Sequence, residues 1–157
     1  MGIEEVRGFF NTRGRGKEIL EFSQSSATVL LAAEALGVEA ARIAKTMTFR
    51  NPEKQDAVLV VTAGDGRIDN SKFRKQFGYK ARMLTPDEVY EQTGHEIGGV
   101  CPFALKKKLD VYLDDSLKRF ETVYPACGSS NSAIELTPQE LEKYSSAAGW
   151  VDVCRLI

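Results

Sequence analysis

The run Ala57-Val58-Leu59-Val60-Val61-Thr62 constrains this chain more than any other segment. It is apolar or β-branched throughout, with no polar alternation, and reads as a strand buried on both faces. Lys45-Thr46-Met47-Thr48-Phe49 reads as its neighbour, and the polar stretch Asn51-Pro52-Glu53-Lys54-Gln55-Asp56 joins the two as an antiparallel hairpin.

Helical signals lie on either side of that hairpin. From about Ala27 to Leu36, apolar residues recur at helical spacing (Val29, Leu30, Ala33, Leu36), with Ser25 or Ser26 as the cap and Gly37 as the stop. Asp69-Asn70-Ser71 caps a short helix through Phe77 that Gly78 ends, and Ala81 to Leu84 reads as a short strand. Thr85-Pro86-Asp87-Glu88 and Thr137-Pro138-Gln139-Glu140 carry the same start signal. In each, Thr caps, Pro takes the first helical position where its missing N–H costs nothing, and Glu reaches back three residues.

Asp110 to Leu113, Thr122 to Tyr124 and Ala133 to Leu136 read as further strands, and the tail Trp150 to Cys154 as another. The expectation is a single α/β domain over residues 1–157, with residues 1–19 an N-terminal extension or helix. Its sheet is mixed and largely antiparallel, or a partial barrel, flanked by helices. The regular strand–helix alternation of a doubly wound parallel fold is missing.

Composition narrows the function classes. The longest apolar run, Ala27 to Ala33, is broken by Thr28 and followed by Glu34, well short of the roughly 20 residues of a membrane span. The first residues, Met1-Gly2-Ile3-Glu4-Glu5-Val6, are acidic where a secretory signal is basic and then apolar, so the expected location is cytoplasmic. Cys101, Cys127 and Cys154 are widely spaced, which fits a reducing compartment and offers no Cys-x-x-Cys pair. A net charge of −1 disfavours coating long nucleic acid but suits gripping a terminal nucleotide or two.

Most catalytic constellations drop out. His95 is the sole histidine, so a His-based metal site is not expected, nor is a cofactor. There is no Gly-x-Ser-x-Gly elbow and no phosphate-cradling Lys-Ser or Lys-Thr loop; Ala63-Gly64-Asp65-Gly66 reads as a tight turn after a strand. What remains is the loop Gly94-His95-Glu96-Ile97-Gly98-Gly99-Val100-Cys101-Pro102-Phe103. Glycines let backbone N–H groups approach a ligand closely, and two N–H groups aimed at one point make an oxyanion hole. Gly98 and Gly99 fit an ordinary surface turn equally well.

Three blocks together carry a resemblance that extends from about residue 20 to the C-terminus. They are Leu36-Gly37-Val38 leading to Ala44-Lys45-Thr46-Met47, then Thr93-Gly94-His95 through Gly98-Gly99-Val100-Cys101-Pro102-Phe103, and Cys127-Gly128 leading to Ile134-Glu135-Leu136. In that order and spacing the chain resembles the YbaK family, editing domains that also occur inserted in bacterial prolyl-tRNA synthetases. The resemblance implies hydrolysis of the 3′-terminal ester of mischarged tRNA, with a small amino acid such as Cys, Ala, Ser or Thr, including on tRNA(Pro).

It further implies Lys45 as the catalytic residue, with Gly98, Gly99, Val100, Cys101, Pro102 and Phe103 cradling the 3′ end and the aminoacyl carbonyl. Gly128, Ser129 and Ser130 join that cradle, and Phe22, Thr28 and Thr46 line the pocket. The partner implied is the acceptor 3′ end of tRNA, with prolyl-tRNA synthetase or the elongation machinery as protein partners. Lys106-Lys107-Lys108, and Arg13, Arg15 and Lys17, are candidates for acceptor-stem phosphates.

Two departures from the family pattern bear on specificity. Ala133 stands where relatives often carry an acidic residue, and Gly128-Ser129-Ser130-Asn131-Ser132 is hydroxyl-rich where many are basic. Two other readings stay open: a non-catalytic module that binds an aminoacyl or nucleotide ligand, and a hydrolase of small esters or amides built on Cys101 and His95.

Overall fold

In the computed structural model, which describes residues 2–157, the predicted hairpin is the spine of the domain. β2 (Ile43–Asn51) and β3 (Asp56–Ala63) pair antiparallel from Ala44↔Ala63 to Asn51↔Asp56. Asn51 Oδ1 shapes the turn by accepting from the N–H groups of Glu53 (3.0 Å) and Lys54 (3.3 Å).

The sheet continues with β5 (Asp110–Asp114) parallel to β3, β8 (Gly149–Val151) parallel to β5, and β6 (Tyr124–Pro125) parallel to β2, giving the order β6-β2-β3-β5-β8. Two antiparallel ribbons flank it: β1 (Leu20–Glu21) with β7 (Ser132–Ala133), and β4 (Gly66–Ile68) with β9 (Cys154–Leu156). The result is a curled mixed sheet, as expected from sequence. Its antiparallel character lies in the long hairpin and the ribbons, whereas the other three central pairings are parallel. β6 and β8 are two and three residues long, too short for alternation to reveal them.

β3 is buried on both faces, as its sequence requires. Leu59 and Val61 enter the larger core with Val6 and Phe10 of α1 (Gly2–Asn11), Val89 of α4 (Pro86–Thr93) and Leu141 of α5 (Pro138–Ser145). Val58 and Val60 enter a second core with Phe49 and with Phe73 of α3 (Asn70–Phe77). The rings of Phe49 and Phe73 lie 4.8 Å apart. The N-terminal extension is therefore an integral helix, with Phe10 wedged 5.0 Å from Phe103 and 5.3 Å from Tyr144.

Both Thr-Pro signals form complete capping boxes. Thr85 and Glu88 exchange bonds of 2.9 and 3.3 Å, Thr137 and Glu140 bonds of 2.9 and 3.0 Å. α2 (Val29–Leu36) corrects its expected start: Thr28 is the cap, its Oγ1 accepting from Leu31 N–H at 3.2 Å. Ser26 instead bonds the Ser130 carbonyl through its N–H. The segment Ala81 to Leu84 contributes one bridge, Met83 to Phe49, and the tail divides into β8 and β9.

Candidate active site

The outer edge of β2 is covered at its two ends only. β6 pairs with it at Ile43 and Ala44 and stops at Pro125, which has no N–H to extend a ladder. Pairing resumes at Phe49 with Met83, and Leu84 N–H reaches Thr48 C=O (3.2 Å), before Thr85-Pro86 turns the chain into α4. Lys45, Thr46 and Met47 are thus left without a strand on that side.

A cavity of about 220 Å³ occupies the gap. Its walls come from the start of α2 (Ser26 to Val29, and Ala32), from Ile97, Gly98 and Val100 of the loop, and from Ala126, Ser132 and Ala133. Among the described residues no carboxylate lines it, and Lys45 is the only charged residue that does. Ile97 and Met83, 62% and 58% exposed, form an apolar rim at its mouth.

The glycines of the loop have separate jobs. Gly98 has a φ of 95°, a left-handed conformation that side chains disfavour. Gly99 lies so close to the next turn that a Cβ there would sit 2.7 Å from the backbone N and C of Ser129. Gly99 N–H closes the loop onto Glu96 C=O (3.0 Å), whereas the N–H groups of Gly98, Val100 and Cys101 donate to no described residue. Those free donors are the raw material of an oxyanion hole.

The Lys45 side chain is half-buried, and its ammonium makes no hydrogen bond or ion pair among the described residues. Burial pulls its ammonium below the usual lysine range, and Arg67 adds to that; Asp65 and Cys154 act in the opposite direction. Thr46, its neighbour on the strand, has its Oγ1 buried with no hydrogen-bond partner among the described residues. An orphaned hydroxyl costs about 1–3 kcal/mol in desolvation, which a ligand would recover. Thr46→Val is accordingly expected to raise Tm by several degrees, about 2–4 °C per kcal/mol at this size, while lowering kcat/KM. A variant with unchanged Tm and full activity would remove Thr46 from the site.

Cys101 does not fit a nucleophile. It is fully buried, and burial pushes its thiol up to about 12. His95 Nε2 sits 2.8 Å from Phe103 C=O and 3.6 Å from Cys101 Sγ, so its ring proton is held by the carbonyl. Burial also holds the imidazole below its ordinary pKa, which favours the neutral form. A thiolate needs a cationic, accessible setting. Cys101, Pro102 and Phe103 are buried beneath the loop, and only Gly98 and Val100 of the predicted cradle face the cavity.

The model of the aminoacyl-tRNA editing domain matches residues 24–144. The chain belongs to that family. The editing domain is 57% identical over 155 residues to YwhH of Bacillus subtilis, covering 99% of this chain and 98% of that protein. It is 32% identical over 111 residues to EbsC of Enterococcus faecalis, provisionally named a Cys-tRNA(Pro)/Cys-tRNA(Cys) deacylase, covering 69% and 66%. A crystal structure provisionally assigned as a trans-editing enzyme for prolyl tRNA synthetase superimposes with a TM-score of 0.87 at 33% identity, covering 98% of this chain and 97% of that one.

Within the editing domain, the other predicted residues separate. Thr28 both caps α2 and lines the cavity; Phe22 does not line it, its backbone being tied to Asn131 by N–H and C=O (2.8 and 2.9 Å). Gly99, Gly128, Ser129 and Ser130 line an adjoining depression that shares Ile97. Arg13 lies over the Phe9 ring, and Arg15 pairs with Glu18 and Glu140, so both serve the fold. Wall residues that sequence reading missed, including Thr48, Met83 and Ile97, are uncharged and come from separate segments. Among the described residues no group of three His, Cys, Asp or Glu side chains could hold a metal, and no helix is long and apolar enough to cross a membrane.

Proposed function

We propose that this editing domain acts in trans as an aminoacyl-tRNA deacylase, cleaving the 3′-terminal ester of tRNA that carries a small, uncharged amino acid. The observation that carries this reading is the cavity at the open edge of β2, lined by Lys45, by Gly98 and Val100 with their unpaired N–H groups, and by apolar and hydroxyl side chains. An aminoacyl ester is already a reactive acyl compound, so orientation and charge stabilisation suffice, and no Ser-His-Asp machinery is needed. Water adds to the carbonyl carbon, and the developing oxyanion is met by loop N–H groups and the Lys45 charge. The tetrahedral species then collapses, expelling the ribose oxygen, which takes up a proton from the attacking water.

The wall selects by size and charge. Ala27, Ala32, Val100 and Ala133 leave room for a short side chain, and Lys45 repels a cationic one. Ala133, in the position where relatives often have a carboxylate, removes the one group that would hold a second positive charge. The likeness to EbsC supports Cys as one such side chain, and the trans-editing structure supports tRNA(Pro) as carrier. Prolyl-tRNA synthetase would generate the mischarged substrate, and the elongation machinery would compete for it.

Deacylation of a panel bearing Ala, Cys, Ser and Thr on tRNA(Pro) and on other tRNAs tests the proposal. At least one member is expected to be hydrolysed about 10²-fold faster than with Lys45→Ala. A panel on which wild type and Lys45→Ala never differ would leave a binding module in place of an enzyme.

A further inference from the structure

Charge is distributed unevenly along the chain. Between Asp65 and Arg82, Arg67, Lys72, Arg74, Lys75, Lys80 and Arg82 oppose Asp65 and Asp69, a local balance of +4 within a chain of net −1; the remaining residues carry −5. Three carboxylates of this segment and its surroundings are already engaged, whereas among the described residues Glu53 and Asp56, which act on Tyr79, are not. Asp65 holds Arg119 (2.5 Å), Asp69 caps α3 through Lys72 N–H (3.0 Å), and Asp152 holds Lys72 (3.1 Å).

Of the cations left over, Arg67, Arg74, Lys80, Arg82 and, from β9, Arg155 are exposed and have no side-chain partner among the described residues. Arg67 and Arg155 stand directly opposite each other in the β4–β9 ribbon. Like charges so placed are destabilising, and a bound anion would relieve them. Arg74 and Lys80 converge with Asn70 and Ser71 on one surface depression, a set of two cations, an amide and a hydroxyl suited to phosphate.

The strip also reaches the cavity from two sides. Arg67 acts on the Lys45 ammonium. Arg82 precedes the rim residue Met83, and its carbonyl accepts Arg50 N–H at 2.8 Å on β2.

We propose that the strip Arg67, Arg74, Lys80, Arg82 and Arg155 is the surface on which the backbone phosphates of a tRNA acceptor stem dock while the 3′ end enters the cavity. This rests on the deacylase reading for its partner. It displaces Arg13 and Arg15, which the fold consumes, and competes with Lys106, Lys107 and Lys108, which lie beyond the end of α4, where Lys106 N–H bonds Thr93 C=O (3.0 Å).

The test uses the triple variant Arg74→Gln, Lys80→Gln, Arg82→Gln, leaving Arg67 untouched because it acts on Lys45. Binding of uncharged tRNA(Pro) transcript is followed by fluorescence anisotropy between about 50 and 200 mM NaCl, beside hydrolysis of an aminoacyl-CCA fragment that lacks the stem. The variant is expected to bind tRNA at least about tenfold more weakly, with the log–log salt slope reduced by about 2–3, near 0.9 for each phosphate no longer neutralised. Its kcat/KM on the fragment should equal wild type. Unchanged tRNA affinity and slope would overturn the proposal, as would an equal loss on the fragment, or a loss seen only with Lys106→Gln, Lys107→Gln, Lys108→Gln. If wild type hydrolyses no fragment or mischarged tRNA, the deacylase reading fails by itself, and the salt slope still reports on the strip.

Discussion

Lys45→Met is expected to bring deacylation of the best panel substrate close to the uncatalysed rate, a loss of about 10²–10³-fold, which is the scale seen when one oxyanion-stabilising group is removed. The same variant should be more stable than wild type near neutral pH. Burial, reinforced by Arg67, depresses the Lys45 pKa in the folded state, and the side chain has no hydrogen-bond partner among the described residues to compensate. A lysine whose folded pKa lies below its unfolded value costs stability at lower pH, where it is charged in both states. That cost begins to lessen as pH rises past the folded value and is gone above the unfolded one, where the lysine is neutral in both states.

The Tm advantage of Lys45→Met should therefore be full at pH 7 and shrink in alkaline solution. The enzyme-dependent rate, with spontaneous ester hydrolysis subtracted, should fall along the same limb, at a pH below that of an ordinary lysine. Thermal melts and a pH–rate profile check both halves. A Lys45→Met protein that melts below wild type at pH 7, or a rate limb that coincides with free lysine, would show that the ammonium is solvated and idle.

The hairpin and the two Thr-Pro helix starts were legible because each rests on local chemistry. A strand sealed on both faces must be apolar throughout, and a Thr-Pro box satisfies its own N–H groups within four residues. The site was legible in part. Lys45 and the Gly98-Gly99 pair stand out through resemblance, but periodicity says nothing about which side of the loop faces the cavity. Gly98 and Val100 do, whereas Cys101 and Phe103 turn into the core. Met83 and Ile97 gave no signal because an exposed apolar residue in a loop is ordinary until the fold places it at a cavity mouth.

Phe22 was misplaced for a related reason. β1 is two residues long, and the backbone bonds to Asn131 that fix Phe22 depend on a turn more than a hundred residues away. The parallel pairings of β6 and β8 are equally non-local. In each case the missing information is a long-range contact made by an element too short to carry a pattern.

Gly99→Ala tests that long-range contact where it bears on the proposed catalysis. The atoms that a Cβ would meet are the N, C and Cα of Ser129, at 2.7, 2.7 and 2.8 Å, all of them backbone. No rotamer change can relieve the clash, so the loop and the 128–130 turn must move apart. Overpacking of this kind costs about 1–3 kcal/mol, or a Tm lower by about 2–4 °C for each kcal/mol. The functional loss should be larger than the stability loss suggests, because Gly98 and Val100 on either side face the cavity, and a shift of about 1 Å in a positioning loop can cost about 10²-fold in rate. Gly98→Ala fails differently. Its Cβ is tight only against the Ala27 Cβ at 3.2 Å, and the main penalty is the left-handed φ of 95°, on the order of 1–2 kcal/mol. Measured well below both melting temperatures, Gly99→Ala should therefore lose more kcat/KM than its Tm implies, and Gly98→Ala less. Equal activity and wild-type Tm for Gly99→Ala would mean that the loop and the Ser129 turn do not touch, and the cavity wall built on that contact would have to be redrawn.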